Sequence, residues 1–193
     1  MKTVASVAAT TVGQALTKGV CPICEILKDF QWTLSESTQP KADLRVCNFH
    51  VWALARSRGK ISRSTPGETV TEVFLELLES PLIGKANSAE CALCHKVLAE
   101  EVARLRELAE RFQSAMFVQW MTTQGTLCLD HAPKLKEFVP LRLRPSIDKI
   151  VERNRTELKA ELQVFREQLR HGAHEGGGIL GRVAEFLVGQ RGL

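Results

Sequence analysis

All six cysteines of this 193-residue chain lie in four short motifs that recur in the same order. Each half of the chain carries a C-x-x-C motif and, after 22 or 33 intervening residues, a C-x-x-H motif. The pattern predicts an internal repeat in which each copy supplies three sulfurs and one imidazole. The predicted metal ligands are Cys21, Cys24, Cys47 and His50 in the first copy and Cys91, Cys94, Cys128 and His131 in the second.

Ligand spacing of this kind is typical of metal sites. A C-x-x-C motif at the start of a helix places two sulfurs on one side of the turn, where unpaired N–H groups and the helix dipole favour the thiolate. A C-x-x-H motif presents a sulfur and an imidazole at positions i and i+3 of one face. Two such half-sites complete the four-ligand shell that structural zinc prefers. We therefore predict two zinc sites, with iron–sulfur clusters as the alternative occupants.

Three other interpretations of the cysteines explain less, and the third fails on its sequence context. Buried thiols account for each cysteine singly but not for the duplicated pattern. A disulfide framework requires an oxidising compartment. A thioredoxin-like dithiol at Cys21-Pro22-Ile23-Cys24 should follow a strand, whereas a helical run and then Gly19-Val20 precede this motif.

Hydrophobic periodicity predicts helices through most of the chain. Thr65-Pro66 opens one helix with a capping box, and a long charged helix is expected from Ile147 to Leu169, followed by a glycine break and a short helix up to Val188. Strand signals are nearly absent. We predict an all-α fold, a helical bundle of two pseudo-repeats, each with one metal site, plus a C-terminal helical extension. The expected divisions are 1–86, 87–141 and 142–193.

The overall composition is that of a globular protein, with 44% hydrophobic and 25% charged residues and a mild net charge of +4. No stretch reaches the ~18 consecutive apolar residues of a membrane span. Polar residues interrupt the N-terminal segment Val4–Leu16, so it is predicted to be a short helix rather than a signal peptide. We therefore expect a cytoplasmic protein, a setting in which cysteines more often hold metal than form disulfides.

Two arrangements of the half-sites are possible. The distance between the two motifs of the second copy distinguishes them. If residues 95–121 formed one straight helix, Cys128 would lie ~40 Å from Cys94, at 1.5 Å of rise per residue. Each C-x-x-C would then have to pair with the C-x-x-H of the other copy. The apolar stripe from Leu98 to Met116 supports that swapped arrangement.

Pairing within each repeat is the arrangement we favour. Gln39-Pro40 predicts a turn that brings Cys47 back to Cys24, because proline ends the preceding helix. The second copy can match this only by folding back between roughly Glu110 and Ser114, where no glycine or proline marks a turn.

The chain resembles a family of uncharacterised prokaryotic proteins, a domain of unknown function whose members have two copies of a C-P-x-C helix followed by a Gly-aromatic-C-x-x-H segment. The resemblance covers nearly the whole chain, including the long and short C-terminal helices. It implies pairing within each repeat, and it implies no activity. This chain departs from the pattern at Ala92 and at Arg45-Val46. The matching segments are Cys21–Cys24, Cys47–His50, Cys91–Cys94 and Gly125–His131.

Three functions fit these features. Closed shells leave no open position for the water or substrate that catalytic zinc needs, and no recognisable catalytic motif appears, so a non-enzymatic interaction or regulatory module is favoured. Its partner would be another protein or a second copy of the chain. An iron–sulfur redox or sensing protein is the first alternative. The second is nucleic-acid binding, which is disfavoured because glutamates interleave with the basic residues Arg142, Arg144, Lys149, Arg153, Arg155 and Lys159.

Overall fold

The computed structural model describes residues 19–37, 47, 50, 53, 89–171 and 178–189. Helices account for most of these residues, and the described part contains no strand, so the all-α prediction is confirmed. The elements are α1 (Pro22–Ser37), α2 (Ala92–Arg111), α3 (Ala115–Thr123), α4 (His131–Phe138), a 3-10 turn (Leu141–Leu143), α5 (Arg144–Arg170) and α6 (Gly178–Val188).

A cysteine lies directly before each of the helices α1 and α2, and another lies three residues before the start of α4. The carbonyls of Cys21 and Cys91 accept the first helical hydrogen bonds of α1 and α2, from Glu25 and His95, both at 3.1 Å. The carbonyl of Cys128 accepts a bond of the same length from Ala132, at the start of α4. Each of these cysteines therefore stands at the N-terminal edge of a helix, where the amide groups are oriented toward its sulfur.

The apolar stripe after the second C-x-x-C is divided between two helices. Helix α2 ends at Arg111, and Ser114 begins α3 by accepting a hydrogen bond from the Phe117 amide at 3.4 Å. Phe112 is fully buried at the break, whereas Leu98 and Met116, the ends of the predicted stripe, are exposed. The helix does break in the region between Glu110 and Ser114, where the favoured pairing required the chain to fold back, and the apolar stripe does not continue along one helix.

Helix α5 organises the C-terminal part of the protein. It contacts α3, α4 and α6, and its buried residues Ile147, Ile150 and Asn154 lie at helical spacing on one side. The predicted long helix and the short helix that follows it are both confirmed, with bounds within a few residues of those expected. Within the described ranges, no helix combines the length and the apolar composition needed to cross a bilayer.

The described residues fall into two compact units. Those up to Ile26 and those from Ala103 onward form one unit, and those between Leu27 and Val102 form the other. Both α1 and α2 pass from one unit to the other along their length. The predicted helices at the N-terminus and after Thr65 lie outside the described residues, as does the predicted boundary at residue 86. The division into 1–86, 87–141 and 142–193 stays a prediction.

Candidate metal centres

Four predicted ligands meet within the first compact unit. The Cys24 sulfur lies 3.3 Å from Nδ1 of the His131 imidazole and 3.6 Å from the Cys128 sulfur. The same Nδ1 atom lies 3.1 Å from the Cys128 sulfur and 3.7 Å from the Cys21 sulfur. All four residues are buried, and their ligand atoms lie within 4.8 Å of one another. We call this group, Cys21, Cys24, Cys128 and His131, the first cluster.

The other four predicted ligands meet within the second compact unit. Nδ1 of His50 lies 3.4 Å from the sulfurs of both Cys47 and Cys94, and 3.5 Å from the sulfur of Cys91. The sulfurs of Cys47 and Cys94 are 3.5 Å apart. Three of these residues are buried, and Cys94 is partly exposed. We call this group, Cys47, His50, Cys91 and Cys94, the second cluster.

The distances fit one tetrahedral ion in each cluster. An ion ~2.3 Å from sulfur and ~2.0 Å from nitrogen separates two sulfurs by ~3.8 Å and a sulfur from a nitrogen by ~3.5 Å. The measured separations run from 3.1 to 3.7 Å. Both clusters could therefore hold a metal ion, with three sulfurs and one Nδ1 atom as ligands. A disulfide joins sulfurs at ~2.05 Å, and all six cysteines are free.

Backbone N–H groups reinforce one sulfur in each cluster. The amide of Cys94 donates to the Cys91 sulfur at 3.5 Å, and the amide of His131 donates to the Cys128 sulfur at 3.4 Å. In both cases the donor is the third residue after the acceptor, as in the side-chain capping of a helix N-terminus. These bonds stabilise negative charge on sulfur and hold the side chain toward its three partners.

The thiols of the first cluster cannot all ionise together at neutral pH. Hydrogen bonds with Cys128 and Cys21, followed by burial, raise the pKa of Cys24 far above its usual range. Burial also acts to raise the pKa of Cys21, but hydrogen bonds from Cys128 and Cys24 outweigh it and hold that pKa well below the usual range. The Cys24 thiol thus keeps its proton and donates hydrogen bonds to the neighbouring sulfurs. A divalent cation would replace that proton and allow three thiolates to share one site.

In the second cluster, too, one thiol has a raised pKa and another has a lowered pKa. Burial, together with hydrogen bonds to Cys47 and Cys91, raises the pKa of Cys94 to about 12. Burial alone would raise the pKa of Cys91 too, but hydrogen bonds from the backbones of Cys47 and Cys94 bring it below its ordinary value. Burial lowers the pKa of His50, which favours the neutral imidazole, the form that binds metal. The donor set of this cluster therefore also suits a cation.

The predicted pairing within each repeat is wrong. Cys21 and Cys24 of the first repeat meet Cys128 and His131 of the second, while Cys47 and His50 meet Cys91 and Cys94. The chain does break after α2, but the C-x-x-H that follows α3 meets the C-x-x-C at the start of α1 and not the one at the start of α2. The turn proposed near Gln39-Pro40 lies outside the described residues.

Two neighbouring residues of α5 fix the segment that leads into Cys128. The Arg153 guanidinium donates to the carbonyl oxygens of Thr122, at 3.2 Å, and of Gly125. Asn154, which is buried, donates to the carbonyl oxygen of Leu127 at 3.4 Å and accepts from Arg153 at 2.9 Å. These side chains bind the last carbonyls before the ligand. Sequence reasoning missed them, because both lie on a helix that looks charged and solvated.

The residues at the end of α6 lie against the C-x-x-H motif of Cys128 and His131. The Leu129 amide, between the two ligands of the C-x-x-H, donates to the Phe186 carbonyl at 2.8 Å. Gly189 has a φ of 66°, and a Cβ built there would lie 3.3 Å from the Asp130 Cβ and 3.7 Å from the Cys128 sulfur. The backbone after α6 therefore lies directly against the first cluster. The glycine was visible in the sequence, but nothing local linked it to a motif about 60 residues earlier.

Comparison of the chain with protein-family models, with curated proteins and with solved structures gave no match. The resemblance to a family of prokaryotic proteins therefore stays a prediction.

Proposed function

We propose that this protein is a metal-binding helical module that holds one zinc ion in each cluster, and that these ions fix its tertiary structure. The observation that carries the proposal is the convergence of four ligand atoms within 4.8 Å, twice, each time from two motifs far apart in sequence. Three thiolates and a neutral imidazole form the closed shell in which zinc serves as a structural ion.

The spacing of the ligand atoms supports a single ion over a polynuclear iron–sulfur cluster. In a two- or four-iron cluster the protein ligands are divided among different iron atoms, so the metal–sulfide framework holds some of them apart. Four ligand atoms that all lie within 4.8 Å of one another instead favour one shared ion. The same spacing also suits mononuclear iron, so zinc is proposed because closed shells of cysteine and histidine are its common structural environment.

A structural role follows from the position of the ligands. Each ion would tie together segments that local structure does not bring into contact, and such sites can contribute on the order of 10–16 kcal/mol to folding. That is comparable with the whole stability of a domain. With four protein ligands per ion, no position is left for substrate, so we propose a non-enzymatic role in interaction or regulation. A cytoplasmic location and a protein partner, in place of nucleic acid, belong to the same proposal.

Elemental analysis tests this proposal directly. Protein purified without oxygen and without added metal should contain about two zinc atoms per chain and be colourless, because there are two complete ligand sets. Replacing zinc by cobalt should give the intense thiolate-to-metal absorption of tetrahedral sites. Removing the metal with a strong chelator should lower the melting temperature sharply.

Two results would contradict the proposal in different ways. A brown protein containing iron and acid-labile sulfide would establish the iron–sulfur alternative. A folded, metal-free protein in which a thiol reagent titrates all six cysteines would exclude metal binding at both clusters.

A further inference from the structure

A small cavity borders the three cysteines of the first cluster. Its volume is about 80 Å³, and the residues Cys21, Cys24 and Cys128 all contribute to its wall. These three cysteines are otherwise buried, with at most 5% of each exposed. A water molecule occupies ~30 Å³ in the liquid, so the cavity has room for two or three waters or a partly hydrated ion. The first cluster is therefore buried but borders a space large enough for water or an ion.

The remaining wall of the cavity carries an excess of negative charge. Glu157, Glu161 and Glu185 line it, with Arg182 as the one cation among the lining residues that the structure describes. Arg182 forms an ion pair with Glu161, which leaves this wall acidic overall. Glu157 lies on α5 with 58% of its side chain exposed, and its ion pair with Arg153 is long, at 3.5 Å. Such a wall attracts cations and repels anions before they reach the thiolates.

We propose that this cavity is the route by which a divalent metal ion enters and leaves the first cluster, with the Glu157 carboxylate as an oxygen group that it meets on the way. This inference rests on the proposed function, since it requires that the first cluster binds metal. A partly hydrated ion would exchange its waters for carboxylate oxygen and then for sulfur, and its positive charge would be balanced at each stage. The first cluster is then an exchangeable centre whose kinetics are set by residues that are not its ligands.

Filling the cavity is the first test. Leu158 lines the cavity, and Leu162, one turn later on α5 and also half-buried, does not. Zinc release from the full chain into an excess of a chromophoric chelator should show one kinetic phase for each cluster. Leu158→Trp should slow one phase by ~10-fold or more, because exchange would then require local unfolding. Leu162→Trp should leave both phases unchanged.

Changing charge without bulk is the second test, and it stays informative if the tryptophan disturbs folding. Glu157→Gln should slow zinc uptake by one phase ~3-fold, the effect of one charge on a divalent ion near the mouth. Glu152→Gln is the matched control, since Glu152 also pairs with an arginine on α5 but lies outside the cavity. The phase is assigned with Cys24→Ser, which leaves only the second cluster intact, and with Cys47→Ser, which leaves only the first.

The outcomes separate this inference from the proposed function. Protein that binds no metal would remove both. Two bound zinc ions with kinetics that Leu158→Trp and Glu157→Gln leave unchanged, or slow equally in both phases, would overturn the route and leave the proposed function standing. Selective slowing of the first cluster alone supports it.

Discussion

Gly189 shows how one residue without a side chain can complete a ligand environment. It follows the last residue of α6 and adopts the left-handed conformation that commonly ends a helix. Its backbone is thereby placed against Asp130 and Cys128, closer than a residue with a side chain would normally approach. The positive φ favours glycine, and a Cβ at this position would also have to displace the Asp130 side chain by a few tenths of an ångström.

Alanine at position 189 should therefore destabilise the metal-loaded protein by ~1–2 kcal/mol, the cost of placing a Cβ in the left-handed region. Gly181 is the matched control, because it lies in the middle of the same helix, exposed, and an added methyl group would meet no described atom within 4 Å. Gly181→Ala should instead stabilise the protein by up to ~1 kcal/mol, through helix propensity. Urea unfolding of both variants measures the two changes. Equal effects of the same sign would contradict the packing of Gly189 described above.

At the scale of single residues, the sequence predicts the metal ligands well and the residues that position them poorly. The eight ligands follow from spacing alone, because a duplicated pattern of cysteine and histidine has few other physical causes. Arg153 and Gly189 have no such pattern. An arginine among glutamates looks solvated, and a glycine after a helix looks like any helix end. Their roles come from contacts with segments about 30 and 60 residues away, which no local signal encodes.

Among the helices, α5 does more than supply a buried face. Through Arg153 and Asn154 it binds the Thr122 carbonyl in the last turn of α3 and the Gly125 and Leu127 carbonyls in the irregular segment that follows. A segment with satisfied carbonyls can hold Cys128 in one position before a metal arrives.

Arg153→Met should thus remove hydrogen bonds from two partly buried carbonyls while keeping much of the apolar stem. We expect a loss of ~1–3 kcal/mol in the free energy of unfolding, the cost of leaving such groups unsatisfied. Zinc affinity at the first cluster should fall with it. Arg155→Met is the control, because Arg155 makes an exposed ion pair with Glu152, and such a pair contributes ~0–1 kcal/mol. If both variants unfold at the same urea concentration, α5 does not position the segment.

Helix existence was more predictable than helix length. The break after α2 was expected because some turn had to occur there, and Ser114 supplies a capping side chain. The sequence could not show that α3 would end after nine residues. Gln124 and Gly125 still donate backbone hydrogen bonds to Trp120 and Met121 of α3, whereas the Arg153 guanidinium that binds the Gly125 carbonyl comes from α5. That last contact belongs to the tertiary structure, and no local signal predicts it.

For the molecule as a whole, the pairing of half-sites can be tested by counting metal in the full chain. Cys24→Ser and Cys128→Ser should each reduce the content from about two ions to about one, and so should the double variant, because both residues serve one cluster. The variant Cys24→Ser/Cys47→Ser should hold none, since it damages both clusters. Mass spectrometry under native conditions gives the count for each.

Pairing within repeats gives the opposite result for the two double variants. Cys24→Ser/Cys47→Ser would then retain about one ion, and Cys24→Ser/Cys128→Ser would retain none. Each double variant removes two thiols, so a general loss of folding would affect both and could not imitate either pattern.

The way the two clusters divide the chain has a consequence for its synthesis. The segment closed by the second cluster, between ligands 41 residues apart, lies wholly inside the segment closed by the first, between ligands 104 residues apart. The inner loop emerges complete from the ribosome before the last ligands of the outer loop do. At ~5–20 residues per second, the inner ion can bind some seconds earlier. Its closure shortens the free chain that the outer ion must later close and lowers the entropic cost of that step. Metal supply during translation would thus determine the order in which this protein folds.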